Sequence, residues 1–449
     1  MKSIHFIAIG GSVMHQLAIC LQQQGWTVSG SDDEIFEPAR TNLQNNGLLP
    51  AAEGWFPEKI RQQLDAVIVG MHAKPNNPEL LKAQALQIPI HSYPQYIYEH
   101  ARNKIRIVIG GSHGKTTVTA MVMHTLKYCN IDFDYLVGAK LADFDSAVRL
   151  TTASPYIVIE GDEYLASPLT PQPKFHFYQA NIALLTGIAW DHINVFPTFE
   201  YYVEQFRLFL QKMPPNATLI YNSEDANVKQ LALEATHLKQ ILYQTPAYKV
   251  AQNATYLLTD RGDVRLQIFG KHNLQNLAGA KLVVQQLGVT DEQFYNAIQT
   301  FKGAARRLEL IAQNDTCSIY KDFAHAPSKV KATTNAVKEY HLQRKLVACF
   351  ELHTYSSLNK EFLSQYQNAL QAADQAIVFF DEHTFAIKQL PMLTIEEVQK
   401  GFDRPDLLVF TNANSLSAHL KNLSYQNMDL LLMSSGNFGG IDMEQLSKI

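Results

Sequence analysis

Cysteine is scarce in this chain: Cys20, Cys129, Cys317 and Cys349 are the only four in 449 residues. They lie far apart and form no CxxC pair, so they read as buried free thiols in a reducing compartment. An excess of one charge is also missing. The 38 Lys and Arg residues against 42 Asp and Glu leave a net charge of −4, and no basic field marks nucleic acid as a partner. Long apolar runs are absent too. Residues 1–9 carry a lysine among apolar side chains, but Gly10-Gly11 cuts that run short, so neither a signal peptide nor a spanning helix is expected. There is no internal repeat and no low-complexity segment. What is present is 46% apolar and 18% charged residues, ample for real cores in roughly three domains. The expectation is a soluble, cytoplasmic protein without membrane insertion; the sequence is silent on oligomeric state.

The most informative stretch is Gly111-Ser112-His113-Gly114-Lys115-Thr116-Thr117. It follows an apolar, β-branched run at 105–109 and precedes a helical pattern over 118–127. Strand, glycine turn and helix N-terminus in that order make a phosphate cradle, with Lys115 a point charge on the outer phosphates. Thr116 would place its hydroxyl on Mg²⁺. The full Walker pattern asks for Gly where Ile109 stands, yet the structural context survives. ATP and Mg²⁺ are therefore the expected cofactors. The bland alternative is a glycine-rich turn with a solvated lysine.

The chain opens with a strand at 4–9, the turn Gly10-Gly11, a helix over 14–24 and a strand at 27–30 ending in Ser31-Asp32-Asp33. This βαβ start invites a dinucleotide reading with Asp32 on a ribose. Ala8 and Val13, however, stand where a full fingerprint wants glycine. Further strands are expected at 66–69, 156–159, 182–185, 318–320, 345–350, 375–380 and 429–433. Helices are expected at 199–211, 274–286, 291–301, 328–340 and 360–372, with a β-like polar section at 242–269. Strands alternating with helices indicate parallel sheets with covered faces. The fold class is α/β in three domains: Rossmann-like over 1–103, a P-loop sheet over 104–303, and a second Rossmann-like domain over 304–449. Residues 99–104 read as the first link and Gly303-Ala304-Ala305 as the second hinge.

Glu160-Gly161-Asp162-Glu163 directly follows an apolar strand, where hard oxygen ligands would meet Mg²⁺ and ATP. A solvated acidic turn is the plain alternative. Asp191-His192 alone reads as a hydrogen-bonded structural pair. Asn273 and Asn276, three apart at a helix start, either face one ligand or cap the helix. Arg306-Arg307 at the hinge would meet developing charge on a γ-phosphate, or form a surface salt bridge.

The wording Gly-Ser-His-Gly-Lys-Thr-Thr resembles the phosphate loop of the Mur ligases, which build the peptide stem of peptidoglycan, and the likeness covers nearly the whole chain. It implies that Glu163 holds Mg²⁺ and that His192 holds a second ion, Mg²⁺ or Mn²⁺. It implies that Asn273 and Asn276 recognise adenine and that Arg306 and Arg307 act on phosphate. Within Lys321-Asp322-Phe323-Ala324-His325-Ala326-Pro327, Asp322 and His325 match residues that touch the nucleotide. Lys321 stands in place of an acid and Ala326 in place of a histidine, so the roles of those two positions do not carry over. Gly10, Gly11, Ser12, Ser31 and Asp32 then hold UDP-N-acetylmuramate, not NAD. The implied activity is ligation of the muramyl carboxylate to an amine, with ATP consumed. Arg307-Leu308-Glu309-Leu310 and the glycine-rich stretch 434–441 resemble members that attach the tripeptide L-Ala-γ-D-Glu-meso-diaminopimelate. Residues 351–356 lean towards members that attach L-alanine. No Asp-Asn-Pro-Arg motif occurs. The tripeptide is favoured and L-alanine is the alternative.

Overall fold

Each predicted parallel sheet forms because β-branched and leucine-rich runs bury both faces. The computed structural model describes residues 2–138, 141, 143–251, 253–304 and 307–442. Arg306 and Ala305 therefore lie outside the described residues. The chain makes two compact units, one of Met1–Ile188, Val203–Tyr243 and Gly279–Thr290, the other of Ala189–Tyr202, Gln244–Ala278 and Asp291–Ile449.

The first unit holds two sheets. β1 (Ser3–Ile7), β2 (Thr27–Ser31), β3 (Ala66–Val69) and β4 (Ile90–Ser92) lie parallel in the order β2-β1-β3-β4. The second sheet contains β5 (Ile105–Gly110), β6 (Asp134–Leu136), β7 (Val148–Arg149), β8 (Tyr156–Glu160), β9 (Ile182–Leu185), β10 (Thr218–Asn222) and β11 (Lys239–Tyr243). Its order is β11-β10-β9-β5-β8-β6-β7, parallel except for the β6–β7 edge. Strand order departs in both directions from the centre, at β5 and its neighbours. In open α/β sheets that switch point is where ligands lodge, beyond the strands' carboxyl ends. The loops after β5, β8 and β9 all lie there.

The second unit has a three-stranded antiparallel sheet of β12 (Tyr248–Ala251), β13 (Ala254–Thr259) and β14 (Gly262–Leu266). This accounts for most of the polar β-like section. A six-stranded sheet follows, with β15 (Glu309–Gln313), β16 (Cys317–Asp322), β17 (Lys345–Glu351), β18 (Gln375–Phe379), β19 (Leu408–Phe410) and β20 (Met428–Met433). Its order is β15-β16-β20-β17-β18-β19, with only β15 antiparallel. Phe350, Val378, Leu431 and Met433 are buried on one face of it, and Cys349, Ile377, Leu430 and Leu432 on the other.

Two expectations change in detail. The helix over 360–372 is only a 3₁₀ segment, Lys360–Tyr366. The polar link at 99–104 begins inside a helix, Tyr93–Ala101, which starts at a capping box of Ser92 and Gln95 with Pro94 in its first turn. Proline there punctuates a helix start because its missing N–H has no intrahelical partner to lose. All four cysteines are free, but only Cys20, Cys317 and Cys349 are buried; Cys129, at the end of a helix, is half-exposed. Among the described residues no helix is long and apolar enough to cross a membrane.

Candidate functional site

The glycine loop after β5 is shaped by what glycine alone permits. Gly111 has φ +126° and Gly114 φ +78°. A Cβ on Gly111 would fall 2.1 Å from Thr186 Oγ1, so a side chain there meets both strain and collision. The Ser112 N–H donates to Gly187 O at 2.9 Å and pins the loop to the end of β9. The helix Lys115–Tyr128 begins at Gly114, which makes its first turn part of the loop. Ser112 and Thr117 are buried in this junction, and His113 lies against Gly187.

The charges beside the loop are paired. Lys115 Nζ donates to Glu163 Oε2 at 2.6 Å and to Gly111 O at 2.6 Å. Thr116 Oγ1 donates to Glu160 Oε1 at 2.5 Å, and Gly138 N–H to Glu160 Oε2 at 2.8 Å. Lys174 Nζ donates to Asp162 Oδ2 at 2.5 Å. Burial would raise the Asp162 pKa, yet the Lys174 and Lys115 charges hold it well below the ordinary range. For Lys115 the sign is mirrored: burial would lower its pKa, and Glu163 followed by Asp162 raises it. Glu160 and Asp162 belong to the acidic cluster that the sequence offers to Mg²⁺, within which the family resemblance points to Glu163. The acids were visible as a cluster after a strand, whereas Lys174 belongs to no motif and only the fold reveals its role.

The N-terminal turn is strained where a dinucleotide fingerprint would carry glycine. Ala8 takes φ +66°, the left-handed region that glycine enters freely. The Gly10 N–H donates to Asp32 Oδ2 at 2.7 Å, and burial lifts the Asp32 pKa to about 6. Ser31 is fully buried and accepts from Lys59 Nζ at 3.2 Å. Ser31 and Asp32 thus hold the turn, and Gly11 and Ser12 line the cleft beside it. A cleft of about 430 Å³ is lined by Gly11, Ser12, His72, Lys115, Glu160 and Lys174, among others. The first glycine turn, through Gly11, and the lysine that follows the second therefore line one cavity.

The second unit gathers another charged group. Asp191 Oδ2 lies 3.6 Å from Lys329 Nζ and 3.9 Å from His325 Nε2. Burial opposes ionisation of Asp191, but Lys329 and then His192 lower its pKa strongly. His325 Nδ1 lies 2.9 Å from Phe323 O. Burial, aided by Lys329, drops the His325 pKa to about 3. The His192 N–H donates to Asp191 Oδ1 at 2.8 Å, and His192 has φ +55°. Arg307 stacks its guanidinium 5.0 Å from the centre of the Phe323 ring. Asp322 accepts from Leu308 N–H at 2.5 Å and Ala324 N–H at 2.6 Å, so it ties the hinge to the end of β16. Asn273 donates to Phe269 O at 2.9 Å, bracing the start of the helix Lys271–Gln285, and Asn276 is buried. The structure thus brings Lys115, Thr116 and Glu163 together in the first unit, and His192, Arg307, Asp322 and His325 in the second.

Among the described residues no three His, Cys, Asp or Glu side chains converge on a point. Beside the loop the donors are the Thr116 hydroxyl and the Glu160 and Glu163 carboxylates. That set fits Mg²⁺, which takes one or two carboxylates and completes its shell with phosphate and water.

Comparison with known proteins agrees along the whole chain. Residues 3–105 match the Mur ligase family catalytic domain, 109–284 the Mur ligase middle domain and 306–436 the Mur ligase glutamate ligase domain. A UDP-N-acetylmuramate–L-alanine ligase of Sulfurihydrogenibium sp. is 30% identical over 446 residues, 97% of this chain and 88% of that protein. A UDP-N-acetylmuramate–L-alanyl-γ-D-glutamyl-meso-2,6-diaminoheptandioate ligase of Haemophilus influenzae is 26% identical, covering 100% and 99%. The crystal structure of a murein peptide ligase from Psychrobacter arcticus superposes with TM-score 0.68 at 22% identity, covering 100% and 99%, and shares the three-domain α/β fold. The chain belongs to the Mur ligase family, the ATP-dependent amide-bond-forming ligases of peptidoglycan synthesis.

Proposed function

We propose that this enzyme joins the carboxylate of UDP-N-acetylmuramate to the amine of L-Ala-γ-D-Glu-meso-diaminopimelate in the cytoplasm. The observation that carries this reading is the single cleft onto which the Gly10-Gly11 turn and Lys115 both open. A carboxylate held by the first turn and a triphosphate held by the second would meet in it. ATP supplies the phosphoryl group that makes the carboxylate oxygen a leaving group for the amine.

The chain's own residues position and neutralise. Gly10, Gly11 and Ser12 hold the UDP-sugar, while Ser31 and Asp32 fix the turn from behind. Residues 111–117 cradle the phosphates, and Lys115, already ion-paired with Glu163, carries the charge that complements them. Mg²⁺ would sit on Thr116 and Glu163, with Glu160 beside them, and would polarise the transferring group. His192 is proposed as ligand of a second ion, Asn273 and Asn276 as adenine contacts, and Arg306 and Arg307 as phosphate contacts of a hinged domain 304–449. Asp322 and His325 border the nucleotide, with Asp322 acting as a brace. Domains 1–103 and 104–303 complete the division of labour.

The L-alanine reading remains the second one, because relatives at 30% identity are named for that amino acid. Phosphate release separates the ligase from a mere nucleotide binder: it should require UDP-N-acetylmuramate and an amine together. Release that proceeds equally without the UDP-sugar would refute the ligase reading.

A further inference from the structure

The six-stranded sheet has a cavity of its own. It measures about 260 Å³ and is lined by Glu309, Lys321, Asp322, Phe323, Ser434, Ser435 and Gly436. Three adjacent strands deliver these residues: β15 brings Glu309, β16 brings Lys321, and the turn after β20 brings the serines. Glu309 and Lys321 are direct partners across the antiparallel β15–β16 ladder. Opposed residues on such a ladder share a face, with Cβ atoms roughly 5 Å apart. Opposite charges so placed would ordinarily close into an ion pair. Among the described residues no ion pair joins these two, and both side chains line the cavity instead.

Two further facts mark the cavity as a built site. Ser435 Oγ is shielded from solvent and has no hydrogen-bond partner, and a buried hydroxyl left unsatisfied is unfavourable. The turn carrying it is fixed from below. Ser434 Oγ donates to the buried Glu351 carboxylate, and Phe438 N–H donates to the same oxygen at 2.9 Å. A Cβ on Gly436 would strike His353 at 2.7 Å and Glu351 at 2.9 Å, so glycine is required for the turn to close over Glu351. The turn is tied down at both ends, and Lys321, Glu309 and Ser435 line the same cavity.

A cation and an anion side by side, with an unsatisfied hydroxyl, match a ligand end that carries both an ammonium and a carboxylate. We infer that this cavity binds the zwitterionic –CH(NH₃⁺)COO⁻ terminus of the amine substrate, with Lys321 and Ser435 on the carboxylate and Glu309 on the ammonium. The inference rests on the tripeptide reading, because only that substrate has such an end beyond its reacting amine. L-Alanine's sole amine is the nucleophile, and a charge-assisted bond to Glu309 would hold it protonated and unreactive. Lys321 is thus a specificity-determining residue.

The test compares two tripeptides, one ending in meso-diaminopimelate and one ending in L-lysine, which keeps the terminal ammonium but lacks its carboxylate. The wild-type enzyme should prefer the first by at least roughly tenfold in kcat/KM, chiefly through KM, as loss of a charge-assisted bond implies. Lys321→Met should bring the two within about twofold while leaving KM for ATP unchanged, and Lys321→Arg should retain the preference. Glu309→Gln should weaken both tripeptides alike, because both keep the ammonium. Undiminished preference in a folded Lys321→Met enzyme, or in Lys321→Gln should the first variant not fold, would overturn the assignment. Turnover of L-alanine with neither tripeptide accepted would sink the tripeptide reading itself, and the cavity assignment with it.

Discussion

The two charged regions of this enzyme are built on opposite plans. Beside the phosphate loop every cation already has an anion: Lys115 on Glu163 and Lys174 on Asp162, with Thr116 on Glu160. In the cavity of the six-stranded sheet, Glu309 and Lys321 are adjacent across a ladder and stay apart. The first arrangement tolerates burial because buried charge is costly unless paired. It also holds the lysine in place until phosphate arrives. The second keeps its charges open at a site that solvent still reaches, where an unpaired ion costs little. Paired charge thus goes with burial, and separated charge with exposure.

Removing a member of the first set should do the most damage. Lys115→Ala should cut kcat by at least roughly a thousandfold, since it removes a preorganised charge from the transferring phosphoryl group. It also leaves the buried Glu163 without its cation, so the melting temperature should fall as well. Near-normal turnover in that variant would show that the Lys115 charge does not act on the transferring phosphate. Glu163→Gln keeps the volume and loses the charge, so it should raise the Mg²⁺ concentration needed for half-maximal activity at least roughly tenfold. Unchanged metal dependence in both Glu163→Gln and His192→Ala would remove them from the metal site.

The loop itself supplies the next effect. Gly111→Ala should destabilise the protein by about 2 kcal/mol or more, through left-handed strain and collision with Thr186. Equal denaturant midpoints for the two proteins would contradict that geometry. A further effect concerns pH. Burial holds His325 at about 3 against about 6.5 unfolded. Between those values the unfolded chain binds more protons, so stability rises with pH across the window and is lost as pH falls from 6.5 towards 3. Unfolding measured from pH 7 to 4 should show a shallower decline in His325→Asn. An unchanged slope would place the imidazole in water.

Much of this was legible in the sequence because the signals are local. Strand, glycine turn and helix follow one another within residues 105–128, and the helix Phe199–Gln211 was readable to the residue from its pattern. What escaped depends on distant partners. Lys174 has no motif and matters only because the fold sets it on Asp162. The support beneath the second cavity joins Glu351 to Ser434 and Phe438, 83 and 87 residues away. Asp32 stands where a ribose-binding acid would, and its carboxylate accepts from Gly10 N–H, a contact that only the closed turn reveals.

The most direct test of the account is the ratio of kcat/KM for L-Ala-γ-D-Glu-meso-diaminopimelate to that for L-alanine, with UDP-N-acetylmuramate and ATP held saturating. On the proposed tripeptide reading, remote charged groups supply binding energy that positions the amine, and the ratio should be at least roughly one hundred. A ratio of one or less would contradict the account and make this an L-alanine ligase of the same family.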